Sequence, residues 1–323
     1  MRVYALGSTE GYNLEGYVIK ALKSTGTETN FAGYLDPGKS LNLAARLLLS
    51  RSRVARGVFS KVLFKKYMMK VENEITNYNP DSIIIFKGDF LEESFFREIR
   101  KLVDSKIIFW FPDDPRFFTS LALPTASESD LTITFSDRAR ERYRELGIDS
   151  VRVPFAASDI HIYRETEKKY DITFIGNLGR KRLTLTKKLI RDGFKVRIFG
   201  SYWNGFIPSD FLSPPVFGPD MVSIINQSKI SLNFHQDVNF GPNMRFFEIT
   251  ASGGTMVTDN AEDSKKFVDE RGAMFYENYE ELKERITEAI QGDNIKLRLH
   301  ASSIVHRDHM YTNRVSEVAK LMQ

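Results

Sequence analysis

The sequence of 323 residues holds no cysteine. That excludes a disulfide scaffold, a Cys-ligated zinc or iron–sulfur centre and a thiol nucleophile, and it fits a reducing compartment. Long apolar runs are also missing. No stretch approaches the roughly 18 uncharged apolar residues of a membrane-spanning helix, and the apolar part of MRVYALGSTEG is too short for a signal-peptide core. These absences lead us to expect a cytoplasmic protein. Compositional extremes are lacking too: 42% hydrophobic and 27% charged residues are ordinary for a globular chain, which excludes collagen, rods and wholesale disorder. At roughly 100–200 residues per domain, the length suggests two domains.

Acidic residues are lacking in one place. None occurs between Asp36 and Glu72, while residues 46–70 carry Arg46, Arg51, Arg53, Arg56, Lys61, Lys65, Lys66 and Lys70. Removing those eight from the 46 basic residues leaves 38 against 42 acidic ones, so the formal net charge of +4 belongs to this segment alone. Leucines, valines and phenylalanines alternate with its basic residues in a helical amphipathic pattern. Two readings stand side by side: a platform for anionic lipid or a charged acceptor, or a solvated helix face. One basic helix with no recognition motif or stacking array argues against nucleic acid.

What is present is an alternation. Strand-like runs fall at 2–7, 29–34, 82–86, 106–111, 131–135, 151–153, 171–175, 195–199, 229–234, 255–258 and 273–276. Helical patterns fall at 13–25, 40–77, 91–104, 137–146, 180–192, 243–252, 262–269, 279–291 and 311–322. Near-continuous apolar strands separated by helices predict α/β architecture with parallel sheets covered on both faces. A polar, aperiodic stretch at 154–170 divides the series, giving expected Rossmann-like domains at 1–155 and 156–323. Ligands of such sheets sit off the carboxyl ends of the strands, so a central cleft between the domains is the expected site, and no metal site is expected.

Residues 33–40, GYLDPGKS, match the phosphate-loop pattern G-x-x-x-x-G-K-[ST]. Asp36 puts a negative charge where phosphates would sit, and Pro37 removes one N–H of the cradle. A P-loop NTPase using Lys39 and Ser40, with the acids of IIFWFPDD as Mg²⁺ partner, is therefore the enzymatic alternative. Stronger signals lie in the second half. Gly176-Asn177-Leu178-Gly179 joins a strand to a helix that opens Arg180-Lys181-Arg182. Basic residues oppose the helix dipole there, a cost that a bound anion would offset. Further on, Gly241-Pro242-Asn243 opens a helix on which Arg245 and Glu248 share a face. A helix N-terminus plus Arg suits a diphosphate, and a carboxylate one turn later suits a ribose diol.

These motifs, GNLGR, LNFH, GPNMRFFE and ASGGTMVTD, resemble the donor-binding region of GT-B glycosyltransferases, most closely the CgeB-like (spore-maturation-protein-like) branch. GSTEGYN, IFKGDFL and WFPDDPRFF in the first half, and HRDHMYTNRV near the end, are similar to that family too. The resemblance implies a metal-independent glycosyltransferase with no cofactor, moving a sugar from a UDP-, GDP- or dTDP-sugar to an acceptor hydroxyl on a glycan, lipid-linked glycan or protein. It implies that Gly176, Asn177 and Arg180 line the diphosphate, and that Gly200, Ser201 and Tyr202 lie near the base. Asn243 and Arg245 would meet phosphates and sugar, and Glu248 the ribose. Phe240 stands where many GT-B enzymes carry a second Glu. The C-terminal helix would return to the first domain.

For the base that deprotonates the acceptor, Asp113 and Asp114 follow a strand end, and adjacent carboxylates can raise one another's pKa. His235, at a strand end, is a further catalytic candidate. Gly7, Glu10, Gly11, Tyr12 and Lys87 would line the first domain's side of the site. His300, His306 and His309 read as surface residues. A GT-B-fold surface or assembly protein that has lost turnover is the non-enzymatic alternative, and an epimerase on the same fold a smaller one.

Overall fold

A computed structural model describes residues 1–8, 11–33, 53–88, 91–114, 117–236 and 241–322, with backbone alone for 53–64. The phosphate-loop match from residue 34 on, Glu10, Phe240 and the start of the basic segment lie outside the described residues. The chain divides into two compact units: Met1–Val153 with Val315–Gln323, and Pro154–Arg314. The first division falls two residues before the expected boundary, and the last nine residues belong to the first unit.

The first unit is one six-stranded sheet ordered β2-β1-β3-β4-β5-β6. Its strands are β1 (Arg2–Gly7), β2 (Glu28–Gly33), β3 (Ser82–Phe86), β4 (Lys106–Phe111), β5 (Leu131–Thr134) and β6 (Ser150–Arg152), all parallel. The central strands are buried almost end to end, as SIIIF and KIIFWF require. Ile83, Ile85, Phe96, Phe109 and Tyr143 build one face of the core. Helix Arg53–Tyr78 packs on it through Met68, Val71 and Ile75, spaced about one helical turn apart. Its Lys65, Lys66, Met69 and Lys70 face solvent. Met322 and Leu321 close on the unit's edge, where their carbonyls accept from Ser82 Oγ (3.1 Å) and Lys106 Nζ.

The second unit repeats the plan with a different strand order, β12-β11-β10-β7-β8-β9. Its strands are β7 (Tyr170–Ile175), β8 (Val196–Phe199), β9 (Leu212–Ser213), β10 (Ser228–Asn233), β11 (Met256–Asp259) and β12 (Met274–Tyr276), again all parallel. Phe246, Phe247, Ile225 and Val305 cover one face, and Phe174, Ile198, Leu232, Phe234 and Leu282 the other. The eleven expected strands are all present. The additional one, β9, is a two-residue edge strand with too few residues to show a period. Helices Leu123–Ser127, Gly218–Asn226 and Ile295–Asp308 are likewise additional. The second starts at Gly-Pro, which in sequence marks a turn as readily as a helix start.

The polar stretch 154–170 is not a free connector. Asn226 anchors it, accepting from the Arg164 N–H (2.8 Å) and donating to the Ile162 carbonyl (3.2 Å) through its amide, while its own carbonyl accepts from Thr166 Oγ1 (2.9 Å) and Lys168 Nζ (2.7 Å). Its lack of period reflects side-chain anchoring rather than freedom.

Candidate functional site

Each sheet has one place where successive strands depart in opposite directions, and ligands of open parallel sheets bind beyond the carboxyl ends there. In the second unit this switch point lies between β7 and β10, which pair from Ser228 opposite Tyr170 to Leu232 opposite Phe174. The loop after β7 crosses the loop after β8 at very close range. A Cβ on Gly200 would stand 2.0 Å from the Gly176 carbonyl oxygen, so no other residue fits there. The crossing is tied by the Trp203 indole N–H to Gly176 O (2.9 Å) and by the Ser201 N–H to Asn177 Oδ1 (3.1 Å). Tyr202 is held in the left-handed region (φ 71°) with its side chain 76% exposed, a conformation that costs ~1 kcal/mol or more for a bulky residue.

The three basic residues after Gly179 part ways. Arg180 is exposed. Lys181 reaches Asp259 Oδ2 at the end of β11 (2.5 Å). Arg182 donates to the carbonyls of Phe234 (3.1 Å) and Asn177 (3.1 Å), tying the ends of β10 and β7 together. Burial, helped by the neighbouring Arg245 charge and opposed by Asp259, pulls the Arg182 guanidinium down to about 10; it stays charged at neutral pH. The local sequence offers all three cations to an anion and the family resemblance singles out Arg180; in the structure Lys181 and Arg182 are the ones turned to the strand ends.

His235, two residues past the β10 strand end at Asn233, is 1% exposed. Its Nδ1 lies 2.5 Å from Asp259 Oδ1, and its backbone N–H donates to the same carboxylate at 3.1 Å. With the Nδ1 proton on Asp259, the neutral ring presents a bare lone pair at Nε2. That atom has no hydrogen-bond partner among the described residues. Burial alone would raise the Asp259 carboxyl, but the His235 hydrogen bond and the Lys181 ammonium outweigh it and hold it below the ordinary range. Lys181, Asp259 and His235 thus form a continuous polar chain across the ends of β11 and β10.

Helix Met244–Ala251 begins beside them. Asn243 caps it, Oδ1 accepting from the Phe246 N–H (3.0 Å), and its amide donates to Asn233 Oδ1 (3.0 Å) at the end of β10. The expected face is present: Arg245 Nη1 lies 2.7 Å from Glu248 Oε2. Glu248 is 1% exposed, and its other oxygen lies 3.6 Å from Nε2 of His161, which comes from the 154–170 stretch. His161 carried no sequence signal; only the folded chain brings it within reach of a residue 87 positions away. His309, read as a surface residue, is instead half-buried between Phe247 and Phe267 and bound to Arg314 (3.1 Å). Burial lowers it to about 4.

The first unit treats its candidates differently. The Asp113–Asp114 pair separates. Asp114 is 5% exposed, accepting from Thr134 Oγ1 (2.7 Å) and the Tyr143 hydroxyl (3.3 Å). Its carboxyl is raised to about 6, and burial rather than its neighbour Asp113 is the main cause. Asp114 therefore serves the core between β4 and β5, whereas Asp113 stays half-exposed and pairs with Lys87 Nζ (3.2 Å). Lys87 itself sits in the left-handed region (φ 63°) after β3. Gly16 lets helix Leu14–Ser24 pack closely against Gly11, whose carbonyl lies 1.9 Å from where a Cβ on Gly16 would be. Tyr12 is exposed. Next to Gly7 sits Glu15, 2% exposed, whose Oε2 accepts from the Ser8 N–H (2.7 Å) and Oγ (2.8 Å). Among the described residues no three His, Cys, Asp or Glu side chains group as a cation site, and no helix is long and apolar enough to cross a membrane.

Comparison with known proteins matches this arrangement. Residues 180–320 fit the family model described as glycosyl transferase-like. The spore protein CgeB of Bacillus subtilis (strain 168) is 24% identical over 216 residues, 59% of this chain and 66% of that protein, just short of two thirds of its length. Sucrose-phosphate synthase from Thermosynechococcus elongatus superposes with a TM-score of 0.69 at 9% identity, covering 99% of this chain and 98% of that one. The trehalose-6-phosphate structure from E. coli bound with UDP-2-fluoro glucose gives 0.63 at 12% identity, covering 100% of this chain and 99% of that one. The lipopolysaccharide outer core galactosyltransferase WaaB gives 0.60 at 13% identity, covering 100% of both. With two parallel Rossmann-like sheets and these superpositions the chain has the GT-B fold, and its residues 180–320 resemble the glycosyl transferase-like family.

Proposed function

We propose that the protein transfers a sugar from a nucleotide-diphosphate sugar to an acceptor hydroxyl, without a metal ion, using the second unit to hold the donor. The observation that carries this is electrostatic. Arg182, half-buried, donates to the carbonyls of Phe234 and Asn177 at the ends of β10 and β7. Burial, and after it the charge of Arg245 at the start of the helix beside them, lowers the affinity of Arg182 for a proton, and Lys181 stands on Asp259 at the end of β11. Like charges gathered at the carboxyl ends of parallel strands repel one another until an anion arrives, so part of the affinity for a diphosphate is built in before binding. The N–H groups at the start of helix Met244–Ala251 add a partial positive charge for the same group.

In this reading Gly176, Asn177 and the Gly200–Tyr202 loop accommodate diphosphate and base. Asn243 and Arg245 engage the phosphates, and Glu248 the ribose. The acceptor oxygen bonds to the anomeric carbon as the bond to the nucleoside diphosphate breaks. The diphosphate leaves as an anion onto the arginines, and the acceptor proton goes to a base. His235 Nε2 suits that role, because Asp259 fixes the tautomer and stabilises the imidazolium that forms. Asp113 is the second candidate base; Asp114, committed to Thr134 and Tyr143, supports the strand end. CgeB carries the sequence likeness, and an E. coli relative in fold is described with a bound UDP-sugar, which supports a nucleotide-sugar here.

We further propose a cytoplasmic protein that meets anionic membrane peripherally through residues 46–70, on the exposed Lys65, Lys66 and Lys70. The direct test of the transfer reaction incubates purified protein with UDP-, GDP- and dTDP-sugars and measures nucleoside diphosphate release with and without EDTA. Release that persists in EDTA is expected. Activity abolished by chelation overturns the metal-free reading, and no release from any donor, with or without Mg²⁺, overturns the activity.

A further inference from the structure

Resting on that reading of the donor site, we infer that His161 is a positioning residue that aims Glu248 at the donor's ribose. The buried carboxylate has two neighbours on opposite sides. Oε2 faces Arg245 Nη1 at 2.7 Å, and Oε1 faces His161 Nε2 at 3.6 Å. The two differ in what holds them. Arg245 keeps about a fifth of its side chain exposed and is the group offered to phosphate. His161 is fully buried and cannot leave.

The Ser158 N–H lies 2.9 Å and the Ser158 carbonyl 3.1 Å from Nδ1, and the Glu248 carboxylate facing Nε2 selects the tautomer that accepts at Nδ1. A ring that accepts at Nδ1 carries its proton at Nε2 when neutral, and burial, the largest influence, lowers the ring's affinity for a second proton. The turn is closed by the His161 N–H on the Ser158 carbonyl (3.0 Å) and followed by the Asn226 anchor. The result is an N–H directed at Oε1 by a rigid segment. When Arg245 turns to the diphosphate, His161 remains to fix the rotation of the carboxylate. Its free lone pairs then meet the 2′- and 3′-hydroxyls at one angle.

The test is calorimetric binding of UDP, GDP and dTDP, and of the 2′,3′-dideoxy analogue of whichever binds best, to the full chain. Four proteins are compared: wild type, His161→Gln, His161→Asn and Glu248→Gln. A Gln amide can present its N–H where Nε2 stood, whereas Asn is too short to do so. We expect wild type and His161→Gln to prefer the hydroxylated nucleotide, and His161→Asn and Glu248→Gln to lose about tenfold of that preference. Binding of the dideoxy analogue should stay within about threefold in all four, a pattern that a folding defect would not give. Unchanged discrimination in His161→Asn, with discrimination lost in Glu248→Gln, overturns the role of His161. If no nucleoside diphosphate binds wild type, the donor-site reading fails, and this inference fails with it. Circular dichroism melts check that each variant is folded, and if His161→Asn is not, His161→Gln against Glu248→Gln decides: discrimination lost in His161→Gln also overturns the role.

Discussion

The two units solve one folding problem twice and fill the same place with opposite charge. Both lay six parallel strands in one sheet with a single switch point, between β1 and β3 in the first and between β7 and β10 in the second. Both follow their first strand with a glycine turn and a helix. After β1 that helix begins Leu14-Glu15, and the buried Glu15 carboxylate occupies the Ser8 N–H and hydroxyl. After β7 it begins Arg180-Lys181-Arg182, and the cations tie together the ends of β7, β10 and β11. A phosphate approaching the first turn meets a carboxylate already seated on the donors it needs, whereas one approaching the second meets Arg182, which is held on carbonyls rather than on a carboxylate. In the proposed reading, fold alone does not make a nucleotide site, and the charge at the switch point sets which unit takes the donor.

The comparison breaks most visibly if the second unit is not where chemistry occurs. His235→Ala should lower kcat about 10²–10³-fold, the usual worth of a general base, with donor KM little changed, measured by nucleoside diphosphate release. Asp113→Ala losing more than His235→Ala would move the base to the first unit. Next in size, Arg245→Ala should weaken nucleoside diphosphate binding about 30–100-fold by calorimetry, since it removes a charge-assisted contact.

A third prediction concerns stability in the first unit. Asp114 has a folded-state value of about 6 against about 3.9 for an unfolded Asp. The native state therefore binds the extra proton between those values, and stability falls as pH rises from about 4 through 6. Asp114→Asn carries no such penalty. Relative to it, wild type should lose roughly 2–3 kcal/mol between pH 4 and pH 7, read from urea titrations. A constant difference across that range contradicts the assignment. The smallest effect concerns the membrane proposal. Changing Lys65, Lys66 and Lys70 together to Gln should reduce binding to phosphatidylserine vesicles several-fold, at about 1 kcal/mol or less per charge, without altering nucleotide affinity. Unaffected vesicle binding leaves these lysines as a solvated face.

Periodicity made the sheets legible in the sequence. Eleven strands read directly from apolar runs because parallel strands are buried on both faces. β9 escaped for want of length, and helix Ile295–Asp308 because its buried positions Ala301, Ser302 and Val305 are small or polar. The site was legible only where it is local. Asn243, Arg245 and Glu248 lie within two turns of one helix, so their shared face follows from spacing. Lys181, Asp259 and His235 converge through strand order, and His161 reaches Glu248 from the 154–170 stretch, neither of which sequence displays; VTD was visible as a motif without its partner being visible. Asp113 and Asp114 looked equivalent because adjacent residues on an extended segment point opposite ways, and only the fold tells which way is in.

The central claim is that the β7/β10 switch point, and not the GYLDPGKS segment of the first half, takes the nucleotide. Thermal unfolding of wild type, Lys39→Ala and Arg245→Ala with and without nucleoside diphosphate tests it most directly. A nucleotide at 100 times its dissociation constant stabilises the folded state by about 2.7 kcal/mol. We predict that shift in wild type and Lys39→Ala, and its loss in Arg245→Ala. A shift retained by Arg245→Ala and abolished by Lys39→Ala would contradict the account.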